Sequence, residues 1–308
     1  MLTNCVQIIN HRKFECFSQN CFTIFVDCDH KSLFILSLQN RVHYSIINVS
    51  GNSGNSRVAE TLFYGGEKMP RFFVNTIDEN NIVISGSDAN HIGRSLRMKP
   101  GDSLTVCCNG TDHHCEITRI TEDCVYLTQI SKELCAAEPD IEVTLFQAIP
   151  KLDKLEAIIQ KSVELGVTRV VPVLSRRCVS RPSEKDFAKK LIRLNKIAEG
   201  AAKQSGRGII PEVLPMITFK AAVEQIKNLD CSAILYEEEG GKHFSQIDFS
   251  GKKTVGLFIG SEGGYDKEEA DAAVNAGAEQ IWLGKRILRC ETAPITALSI
   301  LMFLTNNI

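Results

Sequence analysis

The fold is decided by Thr254-Val255-Gly256-Leu257-Phe258-Ile259 and the residues that follow at once, Gly260-Ser261-Glu262-Gly263-Gly264. A short apolar run without alternation, closed by glycines, reads as a strand buried on both faces. Such strands belong to parallel sheets covered by helices on each side. Working outward toward the C-terminus, the pattern predicts a helix over 267–276 ending at Gly277. A strand over 280–283 and an apolar helix over 292–304 follow. Working toward the N-terminus, it predicts a strand over 232–236, a short helix over 219–226, a basic helix over 184–203 and a strand over 169–173. Before these come a helix over 153–165 and a strand over 141–149. That helix carries Leu155, Ile158, Ile159 and Val163 on one face, and Gly166 stops it. Strands alternating with helices make residues 141–308 an α/β domain around a mostly parallel sheet.

Open α/β sheets bind ligands beyond the carboxyl ends of their strands. Three of those ends here carry glycine: Glu237–Gly241 after 232–236, Gly260–Gly264 after 254–259, and Gly284-Lys285-Arg286 after 280–283. Glycine lets backbone approach a ligand closely. No GxxxxGK[ST] loop is present, and the segment 256–264 lacks the GxGxxG spacing of a dinucleotide site. Glu262 would repel a pyrophosphate. A ligand with an adenosine moiety and a cationic centre, such as S-adenosylmethionine, suits a carboxylate-bearing loop. In Leu283–Pro294, Arg286 and Arg289 are placed for an anion, Thr292 can cap the final helix, and Pro294 fits its first turn.

Residues 69–137 read differently. Ile82–Ile84, Leu104–Val106, Glu116–Ile120 and Val125–Thr128 are short strands separated by turns such as Lys99-Pro100-Gly101-Asp102. Asp88 is the expected cap of a short helix running through His91. The segment amounts to a small barrel-like unit, joined through 136–140 to the α/β domain. Residues 1–68 show no clear element set. Gly65-Gly66-Glu67-Lys68 can be encoded as a purine-rich ribosome-binding site just before Met69. Met69 is therefore the expected natural start, with 1–68 a non-native or disordered extension.

The 308 residues carry 35 Lys+Arg against 37 Asp+Glu, a net charge of −2. That excludes a general basic sheath for nucleic acid but not local basic islands. Such islands are Arg71, Arg94, Arg97 and Lys99; Arg176, Arg177 and Arg181; Lys189, Lys190, Arg193 and Lys196; and Lys203 and Arg207. Of these, Arg71, Arg94, Arg97, Arg176 and Arg207 are the candidate RNA contacts. His91 shares a face with Arg94 and Arg97, and His113 and His114 are expected at the surface. None of the 12 cysteines has CxxC spacing, so zinc-ribbon and thioredoxin readings fail and free thiols in a reducing cytoplasm are expected. No motif asks for a metal, and no run of 18 apolar residues spans a membrane.

At these residues the chain resembles the RsmE-type enzymes of the SPOUT superfamily. The resembling segments are 258–264, 283–293, 151–167, 196–213 and Met69–Val74, so the likeness covers about 69–308. Ser261 departs from the family's usual proline. The resemblance implies a SPOUT parallel sheet with a C-terminal trefoil knot, preceded over 69–137 by a PUA-like RNA-binding β-barrel. It implies a homodimer, S-adenosylmethionine as cofactor, and N3 of a uridine in 16S ribosomal RNA of the small subunit as methyl acceptor. Cofactor contacts carry over to Leu235, Gly260, Glu262, Gly263, Leu283, Gly284, Ile287, Leu288 and Thr292.

Uridine N3 is a poor nucleophile until it loses its proton. Arg289 or Arg286 is placed to stabilise the resulting anion, and Glu291 or Glu262 to accept the proton. Glu262 can instead position the loop, and Glu291 can pair with an arginine. Two other readings stay open: a SPOUT enzyme acting on another base or a ribose 2′-hydroxyl, and a catalytically silent RNA-binding assembly factor.

Overall fold

The structure is a computed structural model that describes residues 14–18, 21–24, 32–38, 42–48, 69–78, 81–236 and 241–308. The chain divides into two compact units, Met1–Pro70 and Arg71–Ile308. In the first, strands β1 (Phe14–Ser18) and β2 (Cys21–Ile24) form one antiparallel pair, and β3 (Ser32–Leu38) and β4 (Val42–Asn48) another. Two of them fall on the apolar runs at 22–26 and 33–38, where no element set was expected. The expectation of a translated leader falls mainly on residues outside the described ones.

The second unit opens with β5 (Arg71–Phe73), β6 (Ile82–Ser85), helix α1 (Gly86–Asn90), β7 (Ser103–Cys108), β8 (Thr111–Ile120) and β9 (Cys124–Leu134). They form a five-stranded sheet in the order β5-β7-β8-β9-β6, antiparallel except where β5 meets β7. Its core is small, with Phe72, Ile92, Leu104, Val106, Ile117 and Val125 at its centre. Two local expectations need correction. Helix α1 starts at Gly86, so Asp88 lies inside its first turn and does not cap it. His113 is buried, 3% exposed, against the Gln129 Oε1 at 2.6 Å. Residues 104–108 of the paired strand β7 are buried without a break, so this end of the sheet is covered on both faces, and Asp112 and His113 are both buried although they point to opposite sides.

The α/β part follows: β10 (Glu142–Ala148), α2 (Lys154–Glu164), β11 (Arg169–Leu174), α3 (Glu184–Ser205), β12 (Glu212–Val213), β13 (Ile217–Thr218), α4 (Phe219–Glu224), β14 (Cys231–Leu235), β15 (Lys242–His243), β16 (Thr254–Ile259), α5 (Lys267–Asn275), β17 (Glu279–Trp282) and α6 (Thr292–Leu304). All sheet pairs are parallel, in the order β12-β11-β10-β16-β14-β17-β15, with β13 also on β11. Residues 143–148 and 255–259 are buried without a break, as a doubly covered sheet requires. Phe146 stacks on Phe258 across the β10–β16 pair, with ring centroids 4.3 Å apart. Gly256 has no room for more: a Cβ there would sit 2.7 Å from Leu229 Cδ1. Helix α6 buries Ala297, Leu298, Leu301 and Met302 and contacts α2 and β16.

Two buried ionic contacts join the small sheet and the linker to the α/β part. Arg207, 3% exposed, forks onto Glu138 (2.7 and 3.0 Å) and donates to the carbonyls of Val163 and Val167. Arg71 pairs with Asp112 and reaches Cys135 Sγ, whose own thiol approaches the Gly206 carbonyl. Burial sets the Arg71 environment first, but Asp112 outweighs it and holds the guanidinium pKa above its ordinary value. Both arginines are therefore spent inside the fold, which removes Arg71 and Arg207 from the surface set expected to touch RNA.

Candidate active site

Strand order fixes where the site lies. Chain order runs β10, β14, β16, β17, whereas spatial order runs β10, β16, β14, β17, so connections diverge at the middle of the sheet. Such a point leaves a crevice beyond the carboxyl ends. The ends of β14, β16 and β17 are neighbours there, and a cavity opens between them. It is lined by Leu235 and Tyr236 from β14, by Ile259, Gly260, Ser261 and Gly264 from β16, and by Leu283–Leu288 from β17, with Cys290 and Ala293 at the start of α6. The loop residues 237–240 lie outside the described ones.

The β16 loop is built by close backbone approach. Ser261 bridges to Gly264, whose N–H donates to the Ser261 carbonyl at 3.0 Å with Gly264 at φ +64°. A Cβ on Gly260 would lie 2.8 Å from Gly264 Cα. Below the loop, the buried Gln147 amide donates to the Gly260 carbonyl at 3.2 Å, and Tyr265 donates its hydroxyl to the Ile259 carbonyl at 3.0 Å. Arg177 donates to the Gly263 carbonyl at 3.1 Å. Ser261 sits in this loop through its backbone, and its side chain turns to the Arg177 carbonyl.

Beside this cavity lies a second one, lined by Lys154, Glu262, Ile287, Leu288 and Arg289. Lys154 is its hub. The ammonium pairs with Glu262 at 3.1 Å and Glu291 at 3.2 Å and reaches Cys290 Sγ at 3.8 Å. Hydrogen bonds that the ammonium donates to Glu262 and then Glu291 hold the Lys154 pKa above its ordinary value. For Glu262, burial favours the neutral acid, but its own N–H, Lys154 and the Lys151 N–H outweigh burial and keep the carboxyl below the usual range. Glu291 is lowered as well, first by the Cys290 thiol at 3.1 Å and then by its own N–H and Lys154. Burial, then Glu291, pushes the Cys290 thiol up to about 12.

Of the expected cofactor contacts, Leu235, Gly260, Leu283, Gly284, Ile287 and Leu288 converge on the first cavity. Glu262 lies in the second, and Gly263 packs against Arg177 instead, where a Cβ would meet Arg177 Cβ at 3.0 Å. Thr292 is exposed and is the first residue of α6. The cap position is Glu291, without a side-chain cap bond, so Thr292 does not cap the helix. Of the expected catalytic residues, Arg286 lines the first cavity and Arg289 the second, while Glu291 pairs with Lys154 and not with an arginine. Arg94 is exposed and faces Glu122 at 3.8 Å, Arg97 is exposed at φ +55°, and Arg176 is tied to Asp266 and Glu268. Lys154, Gln147 and Cys290 were absent from the expected set. Among the described residues no group of His, Cys, Asp and Glu is arranged to hold a metal, and no helix is long and apolar enough to cross a membrane.

The first cavity fits an adenosine-bearing ligand by its chemistry. Apolar walls from Leu235, Ile259, Leu283, Leu288 and Ala293 suit a flat ring, and exposed loop backbone supplies the polar contacts. The α/β domain with a glycine-built crevice at its switch point and the small β domain before it are each matched by an RNA methyltransferase family model. The first, RNA methyltransferase domain, matches residues 137–302, and the second, RNA methyltransferase PUA domain, matches 84–130. The chain belongs to the ribosomal RNA small subunit methyltransferase E family. The protein of that name from Bacillus subtilis is 33% identical over 250 residues, covering 77% of this chain and 97% of its own length. The one from Mesomycoplasma hyopneumoniae is 36% identical over 231 residues, covering 75% and 98%. The crystal structure of the Neisseria gonorrhoeae protein bound to S-adenosyl methionine is 30% identical, covers 77% of this chain and 98% of that one, and superposes with a TM-score of 0.69.

Proposed function

We propose that the protein transfers a methyl group from S-adenosylmethionine to N3 of one uridine in the 16S RNA of the small ribosomal subunit, in the cytoplasm. The observation that carries this reading is the pair of adjoining cavities at the ends of β14, β16 and β17, one apolar and glycine-lined, the other bearing Arg289. Leu235, Gly260, Leu283, Gly284, Ile287 and Leu288 hold the cofactor, with Glu262 and Gly263 shaping the loop and Thr292 starting the helix behind it. When bound, S-adenosylmethionine supplies a methyl already activated on a sulfonium, so no acid is needed. The protein's own task is to create and hold the uridylate. Arg289 and Arg286 stabilise that anion; neither side chain has an ion pair among the described residues. Glu291 keeps Lys154 in place.

The five-stranded sheet closes as a PUA-like barrel that grips flanking phosphates through Arg94 and Arg97, with Arg176 contributing from the α/β part. This offsets the few kcal/mol needed to extrude a base from structured RNA. The segment after β17 threads a trefoil knot, an arrangement supported by α6 packing on both α2 and β16. The chain works as a homodimer. Leu152, two residues before Lys154, and Ile287 of the second cavity are 83% and 87% exposed, apolar side chains that a partner face would cover. No metal takes part. The test is methylation of small subunits lacking the modification, followed by identification of the product nucleoside. N3-methyluridine is the expected product; a 2′-O-methyl nucleoside or no product overturns the proposal.

A further inference from the structure

We propose that the cavity lined by Lys154, Glu262, Ile287, Leu288 and Arg289 is the seat of the acceptor base, that it takes an imide ring of the uracil type, and that bound imide loses its proton to solvent rather than to a protein carboxylate. The inference rests on the reading of the protein as a uridine methyltransferase and adds the acceptor's place and the fate of its proton.

Four observations carry it. The cavity adjoins the glycine-lined one, and Ile287 and Leu288 line both, so ligands in the two meet along that shared edge. Group transfer needs reacting atoms brought to about 3–3.5 Å. Second, its cations flank the space with unequal freedom. Lys154 is engaged by Glu262, Glu291 and Cys290, whereas the exposed Arg289 side chain has no hydrogen bond or ion pair among the described residues. A uracil imide presents two carbonyl oxygens around N3, and its anion spreads charge onto both. A guanidinium with free N–H groups answers that charge, and a cytosine, with an amine in place of one carbonyl, does not present it.

Third, the carboxylate that lines this space, Glu262, and the one behind Lys154, Glu291, are already satisfied. Glu262 accepts from the Lys151 N–H at 3.1 Å and from Lys154 at 3.1 Å. Glu291 accepts from Lys154 at 3.2 Å and from the Cys290 thiol at 3.1 Å. Both are held ionised below the usual carboxylate range, so neither is a match for a weakly acidic imide. Fourth, no histidine lines the cavity. The step then balances simply. The N3–H bond breaks, the proton goes to water, and the electron pair stays on N3 and its two flanking oxygens, facing Arg289. Lys154 is a positioning residue: it ties Glu262 of the β16 loop to Glu291 at the start of α6 and so fixes the cavity's two sides.

The test uses the full chain and small subunits lacking the methyl group. Cofactor affinity is measured by calorimetry and single-turnover rate is measured across neutral pH for wild type, R289M, R289K, K154M, K154R and E262Q. Wild type is expected to show one limb, rising with pH and then levelling. R289M should lower the rate about 10²–10³-fold, move the levelling point to higher pH, and leave cofactor affinity within about twofold, with R289K recovering part of the loss. K154M should slow the reaction less, with K154R restoring it. E262Q should leave the position of the limb unchanged. An acid limb that vanishes in E262Q would make Glu262 the base and overturn the proposal. So would an unmoved levelling point in R289M, or a loss of cofactor affinity equal to its loss of rate. Should wild type yield no N3-methyluridine, the functional reading itself fails, and that is seen before any variant is compared.

Discussion

Arg207 gives the sharpest test of how the molecule is held together. Its guanidinium is 3% exposed and has five donors, four of which are used: two on Glu138 and one each on the carbonyls of Val163 and Val167. The same Glu138 carboxylate accepts the N–H groups of Gly208 and Ile209 at 2.8 and 3.0 Å. The R207M substitution keeps the stem but removes the charge, leaving a nearly buried carboxylate and two carbonyls short of their donors. Breaking a buried pair from one side costs about 3–5 kcal/mol. For a unit of this size each kcal/mol lowers Tm by about 2–4 °C, so a fall of about 6–20 °C is expected. Urea unfolding at fixed pH measures it, and E138Q/R207M should lose less than the two single variants together, because the stranded charge is gone. A loss under about 1 kcal/mol, with weakened binding to small subunits, would refute the structural role and return Arg207 to the RNA surface.

Further expectations follow from the site and its surroundings. G260A places a Cβ 2.8 Å from Gly264 Cα and should abolish cofactor binding by calorimetry while the protein still unfolds cooperatively; normal affinity would show that the loop is not the cofactor wall. The carboxyls of Asp230, Asp266, Glu262 and Glu291 are held below their ordinary values, Asp230 by the N–H groups of Lys253 and Thr254 and Asp266 by the Glu269 N–H. Their contribution to stability is therefore full above the unfolded carboxylate pKa of about 4 and is lost as pH falls through the lower folded values. The urea midpoint should hold steady at mildly acidic pH and drop below about pH 4, and D230N should flatten that drop. Burial pushes the Cys107 thiol up to about 12 and that of Cys115 up to about 11. Neither should react with iodoacetamide at neutral pH in the native protein, whereas the half-buried Cys124 should; mass spectrometry of the labelled peptides decides it.

Much of the fold was legible because its signals are local. The strand over 254–259 and the helix over 292–304 are where the pattern predicts them, since an apolar run closed by glycine leaves little choice. The convergence of glycine-bearing ends was also readable, because strand–helix alternation forces parallel strands whose ends share one edge. What escaped depends on partners distant in sequence. Lys154 looks like the polar start of an amphipathic helix, and only the fold brings Glu262 and Glu291 to it. Arg207 reads as one more surface cation until Glu138 and two carbonyls of α2 and its exit close around it. His113 reads as exposed because alternation cannot foresee that this end of the sheet is covered on both faces.

The central claim is tested most directly by the product. The purified chain is incubated with S-adenosylmethionine and small ribosomal subunits lacking the modification, the RNA is digested to nucleosides, and these are resolved by mass spectrometry against standards. The account predicts stoichiometric N3-methyluridine in 16S RNA, lost in G260A. A ribose-methylated nucleoside, another methylated base, or RNA that stays unmodified despite normal cofactor binding would contradict it.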